Sequence, residues 1–144
     1  MYSKKKTVAV SGGFDPIHVG HIRYIKEARK LGDRLVVIIN NNNWLVKKKG
    51  RFFMDENDRK EIIEALEGVD KVVITGHGVN DPDTSVCRAL KGIKPDIFAN
   101  GGDRFADDIP EFITCRDLGI TMEFNIGHGG KVRSSSELLA QYKL

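Results

Sequence analysis

The sequence predicts an α/β fold, a Rossmann-like three-layer sandwich with a five-stranded parallel sheet. Three observations predict it. Short Val/Ile-rich runs alternate with segments of helical spacing along the chain. The second run, Leu35–Ile39 (LVVII), is apolar at every position, as a strand covered on both faces requires. The strand-like runs are followed by polar or glycine-containing turns and then by helices, which is the order of βαβ units with right-handed crossovers.

Each element has its own reason. Thr7–Ser11 (TVAVS) is a β-branched run that ends in Gly12-Gly13. Val19–Leu31 carries Ile22, Ile25 and Ala28 at helical spacing, with Gly32 as its stop. Leu35–Ile39 is the second strand, and Asn40–Arg51 reads as a polar loop after it. Asp55 can cap a helix through Glu67 that puts Ile62, Ile63 and Leu66 on one face, with Gly68 beyond it. Val72–Thr75 is the third strand, Asp83–Leu90 a helix and Pro95–Ala99 the fourth strand. Asp107–Leu118 is a less regular helix with Pro110 near its start and Gly119 at its end. Thr121–Asn125 is the fifth strand. Ser134–Tyr142 closes the chain as a helix whose Ser134 and Glu137 have capping-box spacing.

Composition narrows the class. The 144 residues are 40% apolar and 30% charged, which separates the chain from disordered and fibrous sequences. One domain over residues 1–144 is expected, burying roughly two-thirds of its unfolded surface. No apolar stretch approaches the ~20 residues of a bilayer span, so a membrane is not an expected partner. No signal-like segment follows the basic start Met1–Lys6, and a cytoplasmic location is the expectation. A net charge of +3 is too small to mark a nucleic-acid binder. Cys87 and Cys115 form neither a CxxC pair nor a Cys/His cluster, and are expected reduced and partly buried.

In an open parallel sheet, ligands bind beyond the carboxyl ends of the strands. Four segments fall there. Ser11–His21 (SGGFDPIHVGH) enters the first helix with two glycines, Asp15, and two histidines that share one helical face. Imidazoles at a helix N-terminus suit phosphate oxygens, above all the charge that builds on a phosphoryl group in its transition state. A metal site is disfavoured, because no third His or Cys lies at ligand spacing. After the second strand, Lys47, Lys48, Lys49 and Arg51 could hold a triphosphate as point charges, and Arg59 could point back to the same pocket or pair with Asp55. After the fourth strand, Asn100-Gly101-Gly102-Asp103-Arg104 offers close backbone approach, an acid for Mg²⁺, a base or a sugar hydroxyl, and a cation for phosphate. After the fifth, Gly127–Ser136 (GHGGKVRSSS) combines glycines, Lys131, Arg133 and three serines at a helix start, a second anion site by the same physics.

Other nucleotide and hydrolase motifs are missing. Lys131 is followed by Val132 where a Walker A motif has Ser or Thr. No GxGxxG follows the first strand, and no GxSxG elbow is present.

The run Gly12–His21 (GGFDPIHVGH) resembles the GxFDxxHxGH signature of the HxGH nucleotidyltransferase superfamily, the cytidylyltransferase-like enzymes. The resemblance extends over nearly the whole chain, with the Lys-rich segment ahead of Arg59 and the late serine-rich helix start in matching order. It implies a single nucleotidyltransferase domain in which an acceptor phosphate attacks the α-phosphate of CTP or ATP and pyrophosphate leaves. It implies His18 and His21 as transition-state contacts and Lys48 or Lys49 as the catalytic lysine. Gly12, Gly13, Phe14, Asp15, Gly20, Gly101, Asp103, Arg104, Arg133, Ser134, Ser135 and Ser136 are the expected nucleotide-binding set. Arg59 and Lys47 are expected at the acceptor. Mg²⁺ is the expected cofactor, with Asp15 and Asp103 as candidate ligands, and a homodimer is the expected assembly. Size and the lysine loop favour CTP; the Gly-Gly-Phe-Asp-Pro start leans toward the adenylyl members that act on heptose phosphate or FMN. Two other classes stand beside this reading. One is a nucleotide-binding regulatory module without turnover, against which the intact His18 and His21 argue. The other is an RNA-binding protein, for which Trp44 alone beside the lysines is a thin stacking platform.

Overall fold

In the computed structural model, residues 5–101 and 110–127 are described, together with Leu139. Five strands form one sheet: β1 (Thr7–Gly12), β2 (Arg34–Ile39), β3 (Lys71–Ile74), β4 (Ile97–Gly101) and β5 (Thr121–Ile126). Their order is β3-β2-β1-β4-β5 and every pairing is parallel. The helices are α1 (Val19–Arg29), α2 (Asn42–Lys49), α3 (Glu56–Glu64), α4 (Cys87–Ile93) and α5 (Glu111–Leu118). Strand alternation sorts the core into two layers. Val8, Val10, Leu35, Val37 and Ile39 pack with Ile25 and Ala28 of α1 and Ile63 of α3. Ala9, Ile38 and Phe98 face the other way, against Leu90 of α4 and Cys115 of α5. Both faces of β2 are covered, which is why its five apolar residues are all buried.

At the amino edge of the sheet, three aspartates hold the strand starts. Asp33 Oδ2 accepts from Lys6 N, Asp96 Oδ2 from Thr7 N and Asp70 Oδ2 from Leu35 N, each at 2.8 Å. These carboxylates satisfy N–H groups that the ladder leaves open.

Several boundaries differ from the sequence reading. The expected polar loop after β2 is helix α2. Asn41 caps it by accepting from Trp44 N at 2.9 Å, and Gly50 closes it at φ 85°. Asparagine disfavours helix interiors but serves well as a cap, and here it does so. Helix α4 starts at Cys87 rather than Asp83, because Asp83 Oδ1 accepts from both Ser85 N and Ser85 Oγ and holds that stretch in a turn. Strand β4 runs from Ile97 to Gly101, two residues later at each end than expected. Helix α3 ends at Glu64, three residues short of the expected Glu67. Helix α5 begins at Glu111; its expected first residues, and the Ser134–Tyr142 helix apart from Leu139, lie outside the described residues. The two cysteines are free; Cys115 is fully buried, and burial raises its thiol pKa to about 11. Among the described residues no helix is long and apolar enough to cross a membrane.

Gly32 has a reason other than stopping a helix. A Cβ there would lie 2.8 Å from the Lys6 carbonyl oxygen and 2.8 Å from Val8 Cγ2. Asp33 N and Arg34 N both bond that same carbonyl, so the backbones cannot separate without losing β1–β2 contacts. Gly32→Ala should therefore cost about 1–3 kcal/mol through overpacking. Urea denaturation should show a lower midpoint at unchanged slope; an unchanged midpoint would mean that the approach is not close in solution.

Candidate functional site at the carboxyl edge

The strand order reverses between β1 and β4, which makes the ends of these two strands the place where such sheets bind ligands. Strand β1 leads there through Gly13-Phe14-Asp15 into α1. Phe14 adopts φ 51° and buries its ring to 2% exposure, edge-on to His21 at 4.9 Å. The left-handed backbone is unfavourable for phenylalanine and is held by that packing. A Cβ on Gly12 would meet the Phe14 ring at 3.2 Å, and one on Gly13 would meet Leu45 Cδ2 at 3.2 Å. Packing of the loop leaves little room for a side chain at either glycine.

Asp15 is 3% exposed, and its two oxygens accept from Phe53 N and Met54 N at 2.6 Å each. Expected as a metal ligand, the carboxylate here anchors the α2–α3 connection to the β1–α1 loop. Arg59, expected at the acceptor, is likewise held in a network of bonds to its own chain. It is 1% exposed. Its Nη1 donates to Gly13 O at 2.8 Å and Asn40 O at 2.6 Å, its Nε to Met54 O at 2.9 Å, and its Nη2 to Asn42 Oδ1 at 2.8 Å. Burial lowers its pKa, and the nearby charges of Asp15, Glu56 and Asp55 oppose that shift. The guanidinium is a clamp that ties the ends of β1 and β2 to the start of α3. Asn42 completes the join: its backbone N donates to Glu56 Oε1 and its Oδ1 accepts from Glu56 N, both at 2.9 Å.

The two histidines are locked by the first turn of α1. His18 Nδ1 accepts from Gly20 N at 3.1 Å, and His21 Nδ1 accepts from His18 N at 3.1 Å, in the reciprocal manner of a capping box. The rings stack at 3.8 Å with 25° between planes. A nitrogen that accepts an N–H bond carries no proton, so these bonds assign the neutral ring of each histidine its proton at Nε2. Burial, then the proximity of His18, then Lys49, lower the His21 pKa to about 3. Chemically, this is a pair of Nε2–H donors at a helix start, suited to anionic oxygens.

Helix α2 separates the three lysines. Successive helical residues point about 100° apart, so they cannot share one face. Lys49 is the one whose charge bears on His21. Lys47 instead shares a crevice with Asn43, Trp44, His77 and Asp81. Lys48 is exposed on the same last turn.

The sequence reading overlooked a buried polar chain behind α2. His77 is 4% exposed; its Nδ1 pairs with Thr75 Oγ1 at 2.7 Å and its Nε2 with Ser85 O at 2.9 Å. The carbonyl can only accept, so Nε2 bears the proton and Thr75 donates to Nδ1. Thr75 Oγ1 in turn accepts from Asn41 N at 3.0 Å, and the His77 carbonyl accepts from Asn41 Nδ2 and Asn43 Nδ2. The origin of α2 is therefore set by β3 and the turn after it. A lone histidine just past a strand was the available signal. The turn itself is braced by Arg88, whose Nη2 meets Asp81 Oδ2 at 2.6 Å and holds that carboxyl well below its ordinary range.

Gly20 donates into the His18 cap, and Gly101 ends β4 with open space on its Cα. Asp103, Arg104, Lys131, Arg133, Ser134, Ser135 and Ser136 lie outside the described residues. Among the described residues no group of three or more His, Cys, Asp or Glu is placed to hold a metal ion. With the Asp15 oxygens engaged, these residues do not fit a protein-built Mg²⁺ cage.

A doubly wound parallel sheet with paired imidazoles at its switch point defines a nucleotidyltransferase-type site. The sequence profile described as cytidylyltransferase-like matches residues 9–126. The chain belongs to this family. It is 40% identical over 109 residues to a protein named FAD synthase from Thermococcus sibiricus, covering 74% of this chain and 70% of that one. It is 32% identical over 133 residues to a protein named FAD synthase from Picrophilus torridus, covering 91% of each. A bifunctional protein HldE from Desulfatibacillum aliphaticivorans is 35% identical over 117 residues, which are 80% of this chain and 23% of that one. The crystal structure of a lipopolysaccharide core biosynthesis protein from Thermoplasma volcanium superposes with a TM-score of 0.66 at 31% identity, covering 84% of this chain and 94% of that one.

Two outcomes are expected. Arg59→Lys should lose at least about 2 kcal/mol, because an ammonium cannot serve four acceptors arranged around a planar fork. Denaturation matching the wild type would remove the clamp from the account. The depressed His21 pKa also has a sign. Between about 6.5 and about 3 the unfolded imidazole takes up a proton that the folded one refuses, so stability falls as pH falls through that window. His21→Gln removes this contribution. Its stability should drop less than that of the wild type between about pH 7 and about pH 4.5; equal drops would contradict the buried neutral imidazole.

Proposed function

We propose that this nucleotidyltransferase is an adenylyltransferase that joins AMP from ATP to FMN, giving FAD and pyrophosphate. The observation that carries the reading is the locked pair of Nε2–H donors at the α1 start, in a chain whose relatives include proteins named FAD synthase. A phosphate oxygen of FMN attacks the α-phosphorus of ATP, the bond to the bridging oxygen breaks, and pyrophosphate departs with its electron pair. His18 and His21 donate to the oxygens on which charge builds, and Lys49 adds a fixed positive charge beside them. His21, held neutral by burial, stabilises charge by hydrogen bonding and gives up no proton. Ser134–Ser136 with Arg133 are assigned to the β- and γ-phosphates, and Mg²⁺ is assigned to travel with the triphosphate rather than to rest on Asp15.

The expectation of CTP gives way here. A lysine run bears on phosphate binding, and neither it nor chain length carries information about the base. A second reading keeps ATP and replaces FMN by a sugar phosphate. Likeness to the protein named HldE and to the lipopolysaccharide core biosynthesis protein favours it.

Purified protein with ATP and FMN should yield FAD and pyrophosphate by chromatography, with CTP giving far less product. A sugar phosphate consumed in place of FMN would select the second reading, and no pyrophosphate from any pairing would defeat both. His18→Ala should lower turnover by ~10²–10³ while leaving the fold intact. Turnover at the wild-type rate would remove His18 from the reacting site.

A further inference from the structure

We propose that Phe52 and Phe53 form an aromatic platform for the planar ring of the acceptor, and that this pair sets acceptor specificity. The inference rests on the reading of the acceptor as FMN. Phe53 is 57% exposed and Phe52 41%, with Val46 of α2 exposed to 47% shortly before them in the chain. Large aromatic side chains held in water are unfavourable, and an apolar group of this kind marks a contact surface.

The backbone beneath the pair is fixed rather than loose. Phe53 N and Met54 N are bonded to Asp15, and Met54 O accepts from Arg59 Nε. Asp15 belongs to the loop that delivers His18, so the two phenylalanines are tied to the imidazole pair through one buried carboxylate. A platform already ordered in the free protein spends little entropy on binding. Charge completes the match. Lys49, whose charge is felt at His21, and exposed Arg51 immediately precede the aromatic pair. An acceptor with a flat apolar ring at one end and a phosphate at the other needs both kinds of surface, and residues 49–53 supply them in one short segment. A sugar phosphate offers no flat face and would leave the phenylalanines uncovered.

The test uses the full chain and four variants: Phe53→Ala, Phe53→Leu, Phe52→Ala and the double alanine. The expected result is a KM for FMN raised about tenfold by Phe53→Ala, further in the double variant and less by Phe53→Leu, with the KM for ATP little changed. Riboflavin, which keeps the ring and lacks the phosphate, should compete with FMN in the wild type and lose that ability in Phe53→Ala. Wild-type FAD synthesis with an unaltered KM for FMN in every variant overturns the platform and leaves adenylyl transfer to FMN standing. Wild-type adenylation of a sugar phosphate without FAD synthesis overturns the acceptor reading and the platform with it. A shift in oligomeric state by light scattering, with FMN kinetics unmoved, assigns the pair to an interface between copies and likewise overturns the platform.

Discussion

The carboxyl edge of this sheet is organised by one buried guanidinium. Arg59 reaches three backbone carbonyls and one side-chain amide drawn from three chain segments. Each carbonyl would otherwise be a costly unpaired acceptor near the end of a strand. Only a planar cation with donors on several sides meets that geometry. Once it is in place, Gly13 and Asn40 are fixed beside one another and the α2–α3 connection is drawn in behind them. Asp15 then finishes the frame from the other side by accepting two N–H groups of that connection.

The two edges of the sheet divide their labour. At the amino edge, carboxylates of Asp33, Asp70 and Asp96 are used up on strand N–H groups. At the carboxyl edge, acids near the site are also spent, Asp15 on the loop and Asp81 on Arg88. Among the described residues, a helix start, two imidazoles and Lys49 remain to face an anion. That balance suits a triphosphate: donors and positive charge are retained, and the negative charge that would repel it is tied into structure.

Legibility from sequence followed the distance over which each feature is built. The five apolar residues of β2 state their double burial by composition alone. The histidine pair was readable because its geometry comes from three residues of one helical turn. Asp15 and Arg59 were recognised as important, but their part in bracing the loops was not read. Their type shows charge, while their function depends on burial and on partners up to 46 residues away. Helix α2 was hidden by four asparagines, which look like a loop until Asn41 is seen capping, Asn42 bridging to α3 and Asn43 bonding the His77 carbonyl. His77 offered only its place just past a strand, because Thr75, Ser85 and Asn41 gather around it only in the fold.

Both His18 and His21 present a proton at Nε2, because backbone bonds hold each Nδ1 as an acceptor before any nucleotide arrives. Long-range proton–nitrogen NMR correlation on ¹⁵N-histidine-labelled protein reads this directly. The expected result is an acceptor-type, unprotonated Nδ1 for both rings at neutral pH, with His21 still neutral well below pH 6.5. A proton on Nδ1 of either ring, or a His21 titration at an ordinary imidazole pKa, would contradict it.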